Sequence, residues 1–112
     1  MMRRVTKATL MAAAMLLATT AHAADPKSIP LTIENNRFSP EEIKVKAGEP
    51  FVLVVTNKDK GPEEVESKDL RIEKVVPAGK TLNIRVRALK PGTYPFVGEY
   101  HESTAKGRIV AE

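Results

Sequence analysis

The chain has 112 residues, 18 Lys+Arg against 14 Asp+Glu, two His and no Cys or Trp. Without cysteine it has neither a disulfide framework nor a thiolate for metal or nucleophilic chemistry. Its formal charge of +4 would suit an acidic partner, but the excess sits at one end. Arg3, Arg4 and Lys7 form a basic head without acids, and residues 8–20 are apolar or small. Ala21-His22-Ala23 then supplies the small-x-small end of a secretory signal. The apolar stretch is too short for a bilayer, which takes about 20 residues. The sequence therefore predicts a signal peptide over residues 1–23, a periplasmic protein and no stable membrane anchor after cleavage. The rest carries 15 basic against 14 acidic residues, so nucleic-acid binding loses its electrostatic support. All four Met and His22 leave with the signal, which makes His101 the single histidine of the mature protein and leaves it no sulfur.

The remaining residues suffice for one domain. A polar leader is predicted over 24–30 and a β-domain over 31–112. Leu31-Thr32-Ile33-Glu34 alternates apolar and polar, the period of a half-buried strand. Asn35-Asn36-Arg37 turns the chain, and Phe38 plugs the core before Pro40. Residues 42–46 alternate with Ile43 and Val45 inward, and Ala47-Gly48 turns. Pro50 to Asn57 is apolar and β-branched, as in a central strand. Asn57 to Pro62 reads as a loop. Residues 63–70 have room for one helical turn. Leu70 to Val76 and Thr81 to Val86 alternate around a turn at Pro77–Lys80. Thr93 to Val97 and Gly107 to Val110 are the last strands, joined by a loop over 98–106. Seven or eight short strands with frequent turns predict an all-β sandwich or small barrel.

Three segments resemble the cupredoxin family in order and spacing: FSPEEIKVKAGEPFVLVVTN (38–57), VVPAGKTLNIRVRALKPGTYPF (75–96) and GEYHESTAKGRIV (98–110). The resemblance implies a Greek-key β-sandwich with a metal site at one end. The blue-copper members use a His after the Asn loop, then Cys, His and usually Met on the closing loop. Here the first His position holds Glu63 or Glu64. The Cys position holds Gly98, or Glu99 with a one-residue shift. The closing His is matched by His101, and the Met position holds Ala105 or Lys106. With no sulfur in the mature chain, a type 1 copper centre is excluded.

The run GPEEVESKDLRIEKVVPAGK, followed by KPGTYPFVGEYHESTAKG, is similar to EfeO-type cupredoxin-like domains, periplasmic domains of bacterial iron uptake. That resemblance implies a non-blue site from an E-x-E motif, matched by Glu64-Val65-Glu66, and the closing loop with Glu99 and His101. It also implies iron or copper as the bound ion and an inner-membrane iron permease or other iron-uptake components as partner. In a strand with Val65 in the core, Glu63 faces the metal-bearing end and Glu64 and Glu66 lie outside; a one-residue slip exchanges them. Glu99 and His101 share a face if their loop is extended. Carboxylates with one imidazole suit Fe(II), Fe(III), Mn(II), Cu(II) or Zn(II) and disfavour Cu(I). The bland alternatives are solvated acids at Glu63, Glu64, Glu66 and Glu99 and a satisfied loop histidine at His101. Tyr94, Phe96 and Tyr100 read as packing residues, Asp69 and Glu102 as surface. No nucleophile–base set is placed for catalysis. Three functions remain: a periplasmic metal-binding protein of iron or copper acquisition, a metal-free interaction module, and a ferroxidase or redox shuttle.

Overall fold

The computed structural model describes residues 25–112; the signal peptide read over residues 1–23 lies outside them. Among the described residues there are nine strands: β1 (Lys27–Glu34), β2 (Arg37–Ser39), β3 (Glu42–Val45), β4 (Phe51–Asn57), β5 (Glu63–Ser67), β6 (Ile72–Val76), β7 (Thr81–Val86), β8 (Gly92–Gly98) and β9 (Lys106–Ala111). One 3-10 turn, Glu99–His101, interrupts the closing loop. The strands form two sheets in the orders β2-β1-β4-β7 and β3-β9-β8-β5-β6. The predicted all-β sandwich is thus present, with two strands beyond the seven segments read from the sequence. One is β2, which pairs with β1 through Phe38 opposite Ile33. Residues 63–70 hold strand β5 rather than a helical turn. β1 starts at Lys27, inside the segment read as a polar leader, because Lys27–Pro30 pair in parallel with Phe51–Val54.

Alternation builds the core. Leu31 and Ile33, Ile43 and Val45, and Phe51, Leu53 and Val55 face inward from their strands, and each strand's other residues face out, as the two-residue period demands. Phe96 from β8 meets Phe38 edge to face, with ring centroids 4.9 Å apart, a favoured aromatic geometry. Asn35 and Asn36 both take positive φ, 55° and 56°, the conformation of a tight hairpin turn that asparagine tolerates. The Asp59 carboxylate accepts from both of their backbone N–H groups, at 2.7 and 2.9 Å.

The inward row of β4 ends on a polar residue. Asn57 is fully buried, and its amide is fully used. Nδ2 donates to Gly61 O at 2.9 Å and to Val76 O at 3.0 Å. Oδ1 accepts from Asp59 N at 2.9 Å. One side chain therefore closes loop 58–62 and delivers the chain to the start of β5. Asn57→Ala is expected to destabilise the domain by roughly 2–4 kcal/mol, since it strips partners from buried backbone carbonyls. Chemical denaturation checks this; a loss below about 1 kcal/mol would assign the loop's shape to other contacts.

Candidate metal centre

β5 settles which glutamate faces where. Its burial alternates, with Glu63, Val65 and Ser67 inside and Glu64 and Glu66 half-buried on the outer face. Val65 is core, so Glu63 points to the end of the sandwich and the other two point out, the first of the two registers that the sequence left open.

Glu63 is 1% exposed. Its Oε1 accepts from Glu64 N at 3.1 Å and Tyr100 N at 3.0 Å, and its Oε2 lies 2.5 Å from His101 Nδ1. A buried carboxylate is tolerated when polar partners replace its lost water, and two backbone N–H groups and the His101 ring nitrogen do so here. The space for the carboxyl group comes from small neighbours. A Cβ on Gly98 would lie 2.7 Å from Glu63 Cδ and 2.6 Å from the Cβ of the buried Ala105. Positions 63, 98, 101 and 105 therefore converge at one pole, and the Glu63 side chain fills it.

The closing loop is not extended. Glu99–His101 form a 3-10 turn, and Ala105 N donates back to His101 O at 2.8 Å. At three residues per turn, positions two apart do not share a face. Glu99 and His101 accordingly separate. His101 turns to Glu63, while Glu99 joins the outer face of the sheet. There Glu64, Glu73 and Glu99 each offer a carboxylate oxygen, all within 4.8 Å of one another. Glu66 stands directly across the ladder from Glu73 and lines the same groove as Glu99. The five residues singled out in the sequence thus fall into two groups, Glu63 with His101 at the buried pole and Glu64, Glu66 and Glu99 outside.

Glu73 is the member that the sequence reading missed. Its signal was available: it is an acid directly opposite Glu66 once β5 and β6 are paired as a hairpin through residues 68–71. Tyr100 departs from its predicted packing role and is 48% exposed, as is Val75 at 47%. Val75 lies opposite Glu64 on the ladder, so the acidic group sits among the exposed large apolar side chains. A surface groove of about 500 Å3 adjoins it, lined in part by Glu66, Asp69, Val97, Glu99 and Glu102.

Crowding of carboxylates perturbs their protons. Glu99 is raised from its ordinary 4.5 to about 7, first by hydrogen bonding to Glu64, then to Glu66, then by their negative charge. Partial desolvation, followed by the charge of Glu64, also raises the Tyr100 hydroxyl. A proton held between carboxylates stabilises the folded state. Because the folded value lies above the unfolded one, that contribution is complete below 4.5 and is lost as pH rises through about 7. In chelator-treated protein the melting temperature is expected to fall across this window, and Glu99→Gln, which keeps a donor at all pH values, is expected to flatten the fall. Identical pH profiles for the two proteins would remove Glu99 as the titrating group.

Comparison with known proteins places this geometry. A family model described as cupredoxin-like domain matches residues 7–111. An uncharacterized protein of Rickettsia prowazekii (strain Madrid E) is 37% identical over 82 residues, which is 73% of this chain and 66% of that protein; the match thus spans just under two thirds of the relative's length. Among solved structures, auracyanin A, a blue copper protein from Chloroflexus aurantiacus, superposes with a TM-score of 0.67 at 15% identity, over 78% of this chain and 99% of that one. The metal-binding domain of the Cu(I)-exporting P-type ATPase CopA of Streptococcus pneumoniae D39 gives a TM-score of 0.64 at 16% identity, over 76% and 84%. At such identities the likeness is one of fold.

The residues do not fit the blue copper of auracyanin A. A type 1 centre needs a cysteine thiolate, and this chain has no cysteine. Gly98 and Ala105 offer no ligand atom, and the Glu63 carboxyl group lies directly against Gly98.

Proposed function

The chain belongs to the cupredoxin-like domain family, and from that premise we propose that it is a periplasmic, non-blue metal-binding protein that serves iron acquisition. The carrying observation is the convergence of Glu64, Glu73 and Glu99, with one oxygen from each within 4.8 Å of the others. Glu66 supplies a fourth carboxylate beside Glu99. An all-oxygen donor set suits hard and borderline cations, Fe(II), Fe(III), Mn(II) and Cu(II) among them, and disfavours Cu(I). The similarity of residues 61–80 and 90–107 to EfeO-type domains favours iron within that group and an inner-membrane iron permease as receiver.

Each acid has a distinct support. The β5–β6 ladder holds Glu64, Glu66 and Glu73 at fixed separations. Glu99 rides on the 3-10 turn and gives up its shared proton when a cation takes that proton's place. Glu63 is buried, with both oxygens engaged by protein nitrogens, so it is not offered as a ligand. His101 has its Nδ1 engaged by Glu63. The bound ion would supply a Lewis-acidic charge that relieves the repulsion among these carboxylates. The surrounding acids Asp69 and Glu102 attract cations toward the groove and repel anionic chelates.

Titration of metal-free protein with Mn(II), and with Fe(II) under anaerobic conditions, is expected to show one stoichiometric site. Glu64→Ala and Glu99→Ala are each expected to weaken it by about tenfold or more, about 1.4 kcal/mol per tenfold. Cation at about 100 times Kd should raise stability by roughly 2.7 kcal/mol. Unchanged affinity in both variants would remove the carboxylate site. Absence of thermal protection by any cation would favour a metal-free interaction module, and Fe(II) oxidation above the spontaneous rate would favour a ferroxidase.

A further inference from the structure

An acid occupies an inward position of β5, where alternation with Val65 calls for an apolar side chain. Glu63 is as buried as the hydrophobic core around it, and replacing a buried polar group by a well-packed apolar one is often neutral or favourable for stability. Packing alone therefore gives no reason for a carboxylate here. Its contacts do. Oε1 accepts from Tyr100 N and Oε2 meets His101 Nδ1, so two of its three partners belong to the 3-10 turn. That turn has no side-chain cap of its own at Gly98. The neighbouring position 98 is a glycine, and a Cβ there would lie 2.7 Å from the Glu63 carboxyl carbon.

We infer that Glu63 is an internal strut: its carboxylate fills the pole between β5 and the closing loop and positions the turn that carries Glu99 to Glu64 and Glu73. The bond to Tyr100 N fixes the peptide between Glu99 and Tyr100, which sets the direction in which Glu99 leaves the backbone. Glu63 is thus a positioning residue for the outer carboxylates, while touching none of their ligand atoms. The link to cation binding rests on the function proposed above; the strut itself does not.

The test uses Glu63→Gln and Glu63→Ala and reads two quantities. The first is hydrogen-exchange protection of the Tyr100 amide in metal-free protein; the second is Mn(II) affinity. The side-chain amide introduced by Glu63→Gln retains a carbonyl oxygen for Tyr100 N and loses the charge. Glu63→Gln is expected to keep Tyr100 protection and Mn(II) affinity within about threefold, and Glu63→Ala to lower each by about tenfold or more with the β-sheet circular dichroism retained. Equal losses of Mn(II) affinity in the two variants would make Glu63 a direct ligand and overturn the inference. Retained Tyr100 protection and Mn(II) affinity in a less stable Glu63→Ala would make it a packing residue and overturn it equally. Should Glu63→Ala fail to fold, Gly98→Ala crowds the same carboxyl group from the opposite side; it is expected to reproduce both losses, and unchanged values would refute the strut. If wild-type protein binds no Mn(II), the proposed function falls, and Tyr100 exchange in these variants alone decides whether the strut stands.

Discussion

A carboxylate sealed inside an apolar sandwich must find donors, and the donors that serve Glu63 determine the shape of one whole end of this molecule. Its Oε1 draws the start of β5 and the Tyr100 amide together, and its Oε2 draws in the His101 ring. Ionised groups in low dielectric cost several kcal/mol unless compensated, so these contacts act as a set. Thr104 extends the arrangement outward by donating from Oγ1 to Asn36 O at 2.6 Å, tying the closing loop to the β1–β2 hairpin. Asn57, the other fully buried polar residue at this end, fixes loop 58–62 from which Glu63 emerges. The pole is therefore polar, satisfied and rigid. Among the described residues no buried side-chain nitrogen or oxygen lacks a partner.

The outer face poses the opposite electrostatic problem. Glu66 and Glu73 are directly opposed across a ladder, an arrangement that destabilises a sheet when both are charged. Glu64 and Glu99 add to it. Such a face departs from the stability optimum, and departures of that kind concentrate where function requires them. A shared proton relieves the repulsion, and Glu64 and Glu66 push Glu99 toward its protonated form. A divalent cation relieves it more completely, because it neutralises two charges at once and coordinates oxygens from several side chains. Protons and cations are drawn to the same negative field.

Most of the fold was legible in the sequence because period-two alternation is a local property. Leu31/Ile33, Ile43/Val45 and Ile84/Val86 declare their strands without help from the rest of the chain. Short or polar elements were less visible. β2 is three residues long, and Lys27–Pro30 become a strand only through β4 beside them. The site was legible by residue type and not by grouping. The E-x-E spacing and the closing loop pointed to the relevant acids, but the Glu63–His101 contact spans 38 residues and depends on the local collapse of the closing loop. An extended loop would have put Glu99 and His101 together; the 3-10 turn parts them. Glu73 went unnoticed because a cross-strand partner exists only once the hairpin register is known.

Sharing a fold with blue copper proteins constrains chemistry less than the four residues at the pole do. A redox copper site gains from burial, because a dry, rigid shell fixes geometry and potential. Here the pole buries a carboxylate against a partly exposed imidazole, and the clustered acids lie at the surface, with Glu73 and Glu99 exposed and Glu64 half-buried. Exposure weakens the case for electron transfer, since water reorganises around an open ion at each change of charge. It strengthens the case for a carrier, whose ligands must be reached by a receiving site. Carboxylates exchange cations readily and can be replaced one at a time. The same placement that leaves these oxygens unsuited to a blue centre makes them suited to picking up a hard cation and handing it on.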